Sequence, residues 1–169
     1  IRVIVLTGDN AEVTSCICKK VGIKTHKIIL GSEIDKLPDN GVIRLLKRKH
    51  NVFAKLSPIQ KARIIRLLKI SGNVVGYMGD GINDTPSLTN SDVGVSVDTA
   101  VDIAKETADI ILLEKDLNVL LDGVTEGRKT FSNLLKYIKL AVSFNFGEVI
   151  SVLIASILLP FFPITPIQL

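Results

Sequence analysis

The segment Val74-Val75-Gly76-Tyr77-Met78-Gly79-Asp80-Gly81-Ile82-Asn83-Asp84 decides the fold. Its first half is a short apolar run with the composition of a buried strand, and it stops abruptly at Gly-Asp-Gly-Ile-Asn-Asp. A strand ending this way delivers two carboxylates and a carboxamide to its C-terminal end, where open α/β sheets bind ligands. Asp80 lies between two glycines, so backbone and carboxylate can both approach a ligand closely. Carboxylate and amide oxygens are hard donors and suit Mg²⁺. The competing reading is a plain turn, because Gly, Asn and Asp are also turn formers.

Outward from this strand, β-branched runs recur at Val3–Leu6, Lys27–Leu30, Val52–Ala54, Val93–Val97 and Ile110–Leu113. Amphipathic helix patterns lie between several of them. Ser57-Pro58 is a helix start, with Ser57 as N-cap and Pro58 at the first helical position. Ile59, Ala62, Ile64, Ile65 and Leu68 then supply an apolar face through Lys69, and Gly72 follows as a C-terminal stop. Strands alternating with helices predict a parallel, three-layer α/β sheet. The stretch 31–51 is less regular: Pro38-Asp39-Asn40-Gly41 reads as a turn, and 44–50 as a basic, partly helical, solvated surface.

Residues 117–137 carry a long amphipathic helix pattern, with Arg128, Lys129, Lys136 and Lys139 on and just after its later half. Residues 140–159 differ in kind. Glu148 is their sole charge, and Val, Ile, Leu and Phe dominate. Such a run spans ~30 Å of hydrocarbon at ~1.5 Å per residue. A buried soluble helix is the competing reading, but length and the basic N-terminal flank favour a membrane span with the α/β part in the cytosol. Pro160, Pro163 and Pro166 punctuate a turn before another apolar start. The chain opens at Ile1 without an initiator Met and ends with apolar sequence still running, so a piece of a longer polypeptide is expected.

Composition narrows the partners. The hydrophobic fraction of the 169 residues is 47%, concentrated after Leu140, which argues for a membrane partner. The net charge of +4 is dispersed, aromatic residues are few and Trp is absent, so nucleic acid is not an expected partner. Cys16 and Cys18 stand two apart on a helix pattern and point in different directions. They form neither a redox pair nor a zinc knuckle, and reduced cytosolic thiols are expected.

Two further strand ends are polar. Thr7-Gly8-Asp9-Asn10 offers a hydroxyl, a flexible Gly and a following helix start, a phosphate cradle as readily as a simple helix cap. Lys61 falls on the first turn of the helix begun by Pro58, where its residue type serves either to reach an anion at the strand ends as a point charge or as an ordinary exposed lysine; Lys55, closing its own strand, leaves the same two readings open. Hydroxyl and amide donors, a cation and carboxylates for Mg²⁺ together make up what phosphoryl transfer requires.

Thr7-Gly8-Asp9, Lys55-Leu56-Ser57-Pro58-Ile59-Gln60-Lys61 and Gly79-Asp80-Gly81-Ile82-Asn83-Asp84, in this order, resemble the P-type cation-transporting ATPases, whose phosphorylation domain has a haloacid-dehalogenase-like fold. The resemblance covers essentially the whole chain. Val97–Ala104, Ile110–Lys115, Arg128–Phe131 and Leu135–Lys139 look most like the bacterial magnesium-transporting branch.

The resemblance implies the C-terminal part of the phosphorylation domain over 1–116, a stalk helix over 117–139, a transmembrane helix over 140–159, and a loop with the start of a next membrane segment over 160–169. It implies that Asp80 coordinates the catalytic Mg²⁺, with Asp84 holding the metal's surroundings. Asn83, Thr7 and Gly8 would contact the phosphoryl group, Lys61 would neutralise it, and Asp9 and Lys55 would line the nucleotide and phosphate site. Lys55 stands where the family commonly has arginine, and Lys lacks the planar fork for bidentate contact. Asn145 and Glu148 fall where such pumps place ligands for the transported ion, expected to be Mg²⁺ with Ca²⁺ as the alternative. The sequence contains no Asp-Lys-Thr-Gly-Thr motif, so the phosphorylated aspartate is expected upstream, and the 169-residue chain alone is expected not to hydrolyse ATP. A soluble dehalogenase-like phosphatase and a short membrane protein regulating a pump are the rival readings. For the pump, ATP, the lipid of an inner (plasma) membrane, the transported cation and the remaining polypeptide are the expected partners.

Overall fold

In the computed structural model, which describes residues 1–48, 50–114 and 116–160, the strand β3 (Val52–Ala54) is buried at every position. It is buried because β1 (Val5–Leu6) and β2 (Ile28–Leu30) pair with it, both in parallel, giving the order β1-β3-β2. Phe53 centres a core with Ile29, Ile34, Val42, Leu46, Leu56, Ile64 and Leu67. Side chains of this size contribute about 1.5–3 kcal/mol each when removed from water, so this cluster is the main anchor of the α/β unit.

A second parallel sheet has the order β4-β5-β6, from Gly76–Met78, Val93–Val97 and Ile110–Leu112. The two sheets share no ladder among the described residues, so where one continuous sheet was expected there are two half-sheets. β1 and β4 are both edge strands. The parallel arrangement with flanking helices is as the sequence predicts.

The helix α1 (Ala11–Lys20) begins where Asn10 Oδ1 accepts from Val13 N at 2.8 Å. It buries Cys18 and leaves Cys16 exposed, as their spacing requires. The stretch 31–51 is more regular than its sequence suggests, with α2 (Gly31–Asp35) and α3 (Asp39–Lys47). Pro38 to Gly41 is a helix start rather than a turn: Pro38 is the N-cap and Asp39 sits in the first turn, where a carboxylate meets the positive end of the helix dipole. Arg63 stabilises this region from α4 (Pro58–Ile70), donating to the carbonyls of Ile34 at 3.2 Å and Leu37 at 2.8 Å and pairing with Asp39 at 2.7 Å.

The start of α4 is a capping box. Ser57 Oγ accepts from Gln60 N, and Gln60 Oε1 accepts from Ser57 N at 2.8 Å. Its inward face is Ile64, Ile65 and Leu67, while Ile59 of the expected face is 80% exposed because at about 100° per residue it points roughly 140° away from Ile64. Ser71 is the C-cap, and Gly72 follows with φ +83, the left-handed geometry that ends a helix. A single 3-10 turn (Ile82–Asp84) leads into α5 (Thr85–Asn90), and α6 (Asp102–Thr107) precedes β6. Leu88, Ala100 and Ala104, with Tyr77 and Val97 against them, form the smaller core of this half.

The chain divides into two compact units, Ile1–Lys115 and Asp116–Leu169. The second contains α7 (Leu117–Leu158), one unbroken helix, started by Asp116 Oδ1 accepting from Asn118 N at 2.9 Å. At ~1.5 Å rise per residue its 42 residues extend about 63 Å. Asn118–Leu158 is long and apolar enough to cross a membrane, with a mean hydropathy of 1.8 over its most apolar window. The hydroxyls of Thr125 and Ser151 fold back onto the carbonyls of Leu121 and Gly147 at 2.9 and 2.7 Å, so they need no partner from outside the helix. The next membrane segment expected after Pro160 lies outside the described residues.

Candidate active site

The carboxyl ends of β1 and β3 are zipped together by backbone. Thr7 N donates to Phe53 O at 3.0 Å, Leu56 N to Thr7 O at 3.0 Å, and Lys55 N to Asp9 O at 2.8 Å. Within the first loop, Thr7 Oγ1 lies 3.0 Å from Asp9 Oδ2 as donor and accepts from Asp9 N at 3.1 Å. Lys55 adopts φ +52, the sole non-Gly residue with positive φ among those described. A left-handed lysine costs about 1–2 kcal/mol, and here it turns the chain so that the Leu56 amide meets Thr7. Gly31 makes room for this kink: a Cβ on it would stand 2.3 Å from Lys55 O and 2.6 Å from Gln60 Oε1. Thr7, Gly8, Asp9 and Lys55 are therefore brought to one rim.

At the end of β4 the backbone is pinned while one side chain stays free. Gly79 N donates to Val95 O at 3.1 Å, the buried Ser96 Oγ donates to Gly79 O at 2.9 Å, and Val101 N donates to Asp80 O at 3.2 Å. The Asp80 carboxylate is exposed and, among the described residues, makes no ion pair or hydrogen bond; the Asn83 amide is likewise exposed and unbonded. Asp84 is the opposite case. Its Oδ1 accepts from Lys61 Nζ at 2.8 Å and from Tyr77 Oη at 2.6 Å, with both members of the ion pair largely buried. Its Oδ2 has only a long 3.4 Å contact from Gly81 N.

The protons of this node follow from its surroundings. Burial by itself would raise the Asp84 pKa, but the hydrogen bonds from Lys61 and Tyr77 and the Lys61 charge outweigh it and hold the carboxyl below its ordinary range. Burial first, then the bond to Asp84, pushes the Tyr77 phenol well above its usual value, so Tyr77 remains a protonated donor. The Tyr77 hydroxyl was not legible as a site group. Its one signal was a hydroxylated aromatic inside an otherwise aliphatic strand run seven residues before Asp84.

Gly79 has a definite steric task. A Cβ there would lie 2.5 Å from Asp84 Cβ and 2.8 Å from its Cγ, and Asp84 cannot retreat without leaving Lys61 and Tyr77. Gly79→Ala is expected to destabilise the α/β unit by about 1–3 kcal/mol, the usual cost of overpacking. A lowered denaturant midpoint with unchanged slope would show this, and a wild-type midpoint would contradict it.

No three His, Cys, Asp or Glu side chains converge among the described residues. The donor set still fits a hard divalent cation of the Mg²⁺ kind, which is commonly held by one or two carboxylates together with waters and substrate phosphates. Asp80 supplies one unpaired carboxylate on a fixed backbone. Asp84, four residues on, is already charge-balanced by Lys61. Asn145 and Glu148 belong to α7, three residues apart and so on one face of that helix.

The model of the haloacid dehalogenase-like hydrolases matches residues 1–92. The chain belongs to this family. Across all 169 residues it is 54% identical to the magnesium-transporting ATPase, P-type 1, of Escherichia coli, and over 172 aligned positions 37% identical to calcium-transporting ATPase 1 of Bacillus cereus. In both cases the whole of the chain is matched, against 19% of the relative's length. The crystal structure of a zinc-transporting PIB-type ATPase shares the fold, with a TM-score of 0.68 and 23% identity over 89% of this chain and 21% of that one. This dehalogenase-like member therefore resembles P-type ATPases along its full length, and the magnesium-transporting relative at higher identity than the calcium-transporting one, in keeping with its motifs. It spans about a fifth of the length of the curated relatives it matches.

Proposed function

We propose that the chain is the catalytic-rim half of the phosphorylation domain (1–116), the stalk (117–139) and a membrane-spanning helix (140–159) of an ATP-driven pump that transports Mg²⁺. The observation that carries this reading is the end of β4, where a free carboxylate, Asp80, stands beside a charge-balanced one, Asp84. Phosphoryl transfer needs little covalent help from the protein; it needs positioned charge. Asp80 would hold the catalytic Mg²⁺, which when bound supplies charge neutralisation for the phosphate oxygens. The Thr7 hydroxyl, the backbone around Gly8 and the Asn83 amide would donate to the phosphoryl oxygens. Lys61, fixed by Asp84, would add a compact positive charge. Asp9 and Lys55 would line the nucleotide approach, Lys55 as a single charge rather than a fork. The phosphorylated aspartate would come from polypeptide upstream of this segment.

The helix α7 supports the membrane half of the proposal, and a soluble phosphatase gives such a helix no use. Its apolar portion is preceded by Arg128, Lys129, Lys136 and Lys139, which by the positive-inside rule would keep the α/β unit in the cytosol at an inner (plasma) membrane. Magnesium is favoured over calcium because the magnesium-transporting relative is 54% identical and the calcium-transporting one 37%. Within the span, Glu148 is the sole ionisable side chain. A carboxylate at the helix centre costs roughly 2.5–3.5 kcal/mol on insertion scales, and such residues face a polar interior. Glu148 and Asn145 together offer carboxylate and amide oxygens to a hard cation.

Glu148→Gln in the full-length pump is expected to impair cation-stimulated phosphoenzyme formation and leave nucleotide binding intact. The measurement is acid-stable phosphoenzyme from labelled ATP in membrane vesicles, titrated with Mg²⁺ and with Ca²⁺. Unchanged cation dependence and transport in the variant would make Glu148 structural. A full-length protein that forms no phosphoenzyme under any cation would overturn the pump reading itself.

A further inference from the structure

Resting on the pump reading, we propose that Tyr77 is a positioning residue for phosphoryl transfer, its hydroxyl locking the Asp84 carboxylate that holds Lys61 at the rim. The ring and the hydroxyl of Tyr77 have separable tasks. The ring packs on the small core of Leu88, Ala100 and Ala104, beside Val97, so packing fixes the direction in which the hydroxyl points. Strand pairing fixes its height, because Tyr77 stands opposite Gly94 in the β4–β5 register. A phenylalanine would fill the same space. The hydroxyl's hydrogen bond is the 2.6 Å one to Asp84 Oδ1. A buried hydroxyl is costly without a partner, so its placement serves that bond.

The same Asp84 oxygen takes Lys61 Nζ at 2.8 Å. Lysine reaches it on a flexible four-carbon stem, whereas the tyrosine approaches from a rigid strand. Removing the rigid donor leaves Asp84 held by a flexible one and by the long contact from Gly81 N. Lys61 then loses its fixed counter-charge position, and with it the alignment of its ammonium. Neither of the neighbouring buried hydroxyls, Thr85 and Ser87, bonds the Asp84 carboxylate, whose partners are Lys61, Tyr77 and Gly81 N.

The test is Tyr77→Phe in the full-length pump, read as single-turnover phosphoenzyme formation. The rate constant per active site is expected to fall roughly tenfold, the size of one hydrogen bond to a charged group, with the apparent KM for ATP moving less than about twofold. A merely structural Tyr77 would instead lower the thermal midpoint and the number of active sites, leaving the rate constant of the surviving sites unchanged. That result, or a wild-type rate, would overturn the proposal. If the unaltered pump forms phosphoenzyme and Tyr77→Phe matches it, only the role of Tyr77 falls; if the unaltered pump forms none, the pump reading falls and takes this inference with it.

Discussion

Asp80→Asn in the full-length pump is expected to reduce phosphoenzyme formation by roughly 10²-fold or more, the loss typical when a preorganised electrostatic group is removed from the reacting centre. The substitution preserves shape and turn propensity, because Asn is as good a turn residue as Asp. What it removes is the unpaired charge at the end of β4. Asp80 contributes to folding through its backbone, where its carbonyl accepts from Val101 N, while its side chain is exposed and bonded to nothing in the described structure. The thermal midpoint should therefore stay near wild type while activity collapses. Near-normal phosphoenzyme in this variant would reduce Asp80 to a turn former and remove the central support for the proposed function.

The opposite pattern is expected at Lys61. Lys61→Met strands the Asp84 carboxylate in a site where both partners are only 12–14% exposed, and breaking a buried pair this way costs about 3–5 kcal/mol. Adding Asp84→Asn should restore much of the lost stability, since no charge is then left unpaired and Tyr77 keeps an acceptor, but the double variant should stay inactive. Chemical denaturation of the three variants measures this; an additive double variant would show that the pair is not coupled. Asp84 also sets an acid limb. Its folded pKa lies below the unfolded value of about 3.9. The stabilisation is therefore complete above about pH 4 and is lost as pH falls through the folded value. Asp84→Asn should flatten stability over that acid range, and an unchanged acid limb would contradict the assignment.

Much of this site was legible because its signals are local. Ser57-Pro58 and Gly72 mark the ends of α4 by chemistry that acts within one helical turn, and each strand announced itself as a β-branched run. What stayed hidden depends on pairing over distance. Nothing near Lys61 reveals that it meets Asp84, 23 residues on, and nothing in the strand runs reveals that β1 and β4 do not share a ladder. Tyr77 was hidden for another reason: a half-buried aromatic in a strand is usually read for its ring, and the hydroxyl's task appears only once Asp84 is in place. Pro38–Gly41 misled because turn-forming residues also start helices, and the choice was made downstream by Val42 and Leu46 docking in the core. The proposed boundary between stalk and span rests on sequence character alone, since α7 runs through it without a break.

The open edges of β1 and β4 have a consequence for the chain when it is made by itself. An unpaired strand edge is a row of unused donors and acceptors and invites whatever extended segment comes first. Here the two edges are those whose C-terminal ends carry Thr7 and Asp80. A strand that docks in parallel on either one necessarily finishes at the same rim, delivering its last residues next to the phosphate donors or the free carboxylate. A strand from another protein would do so as readily as one from another copy of this chain. These two edges are thus the surface through which solitary copies would clump, by an ordinary backbone ladder and with no help from side chains.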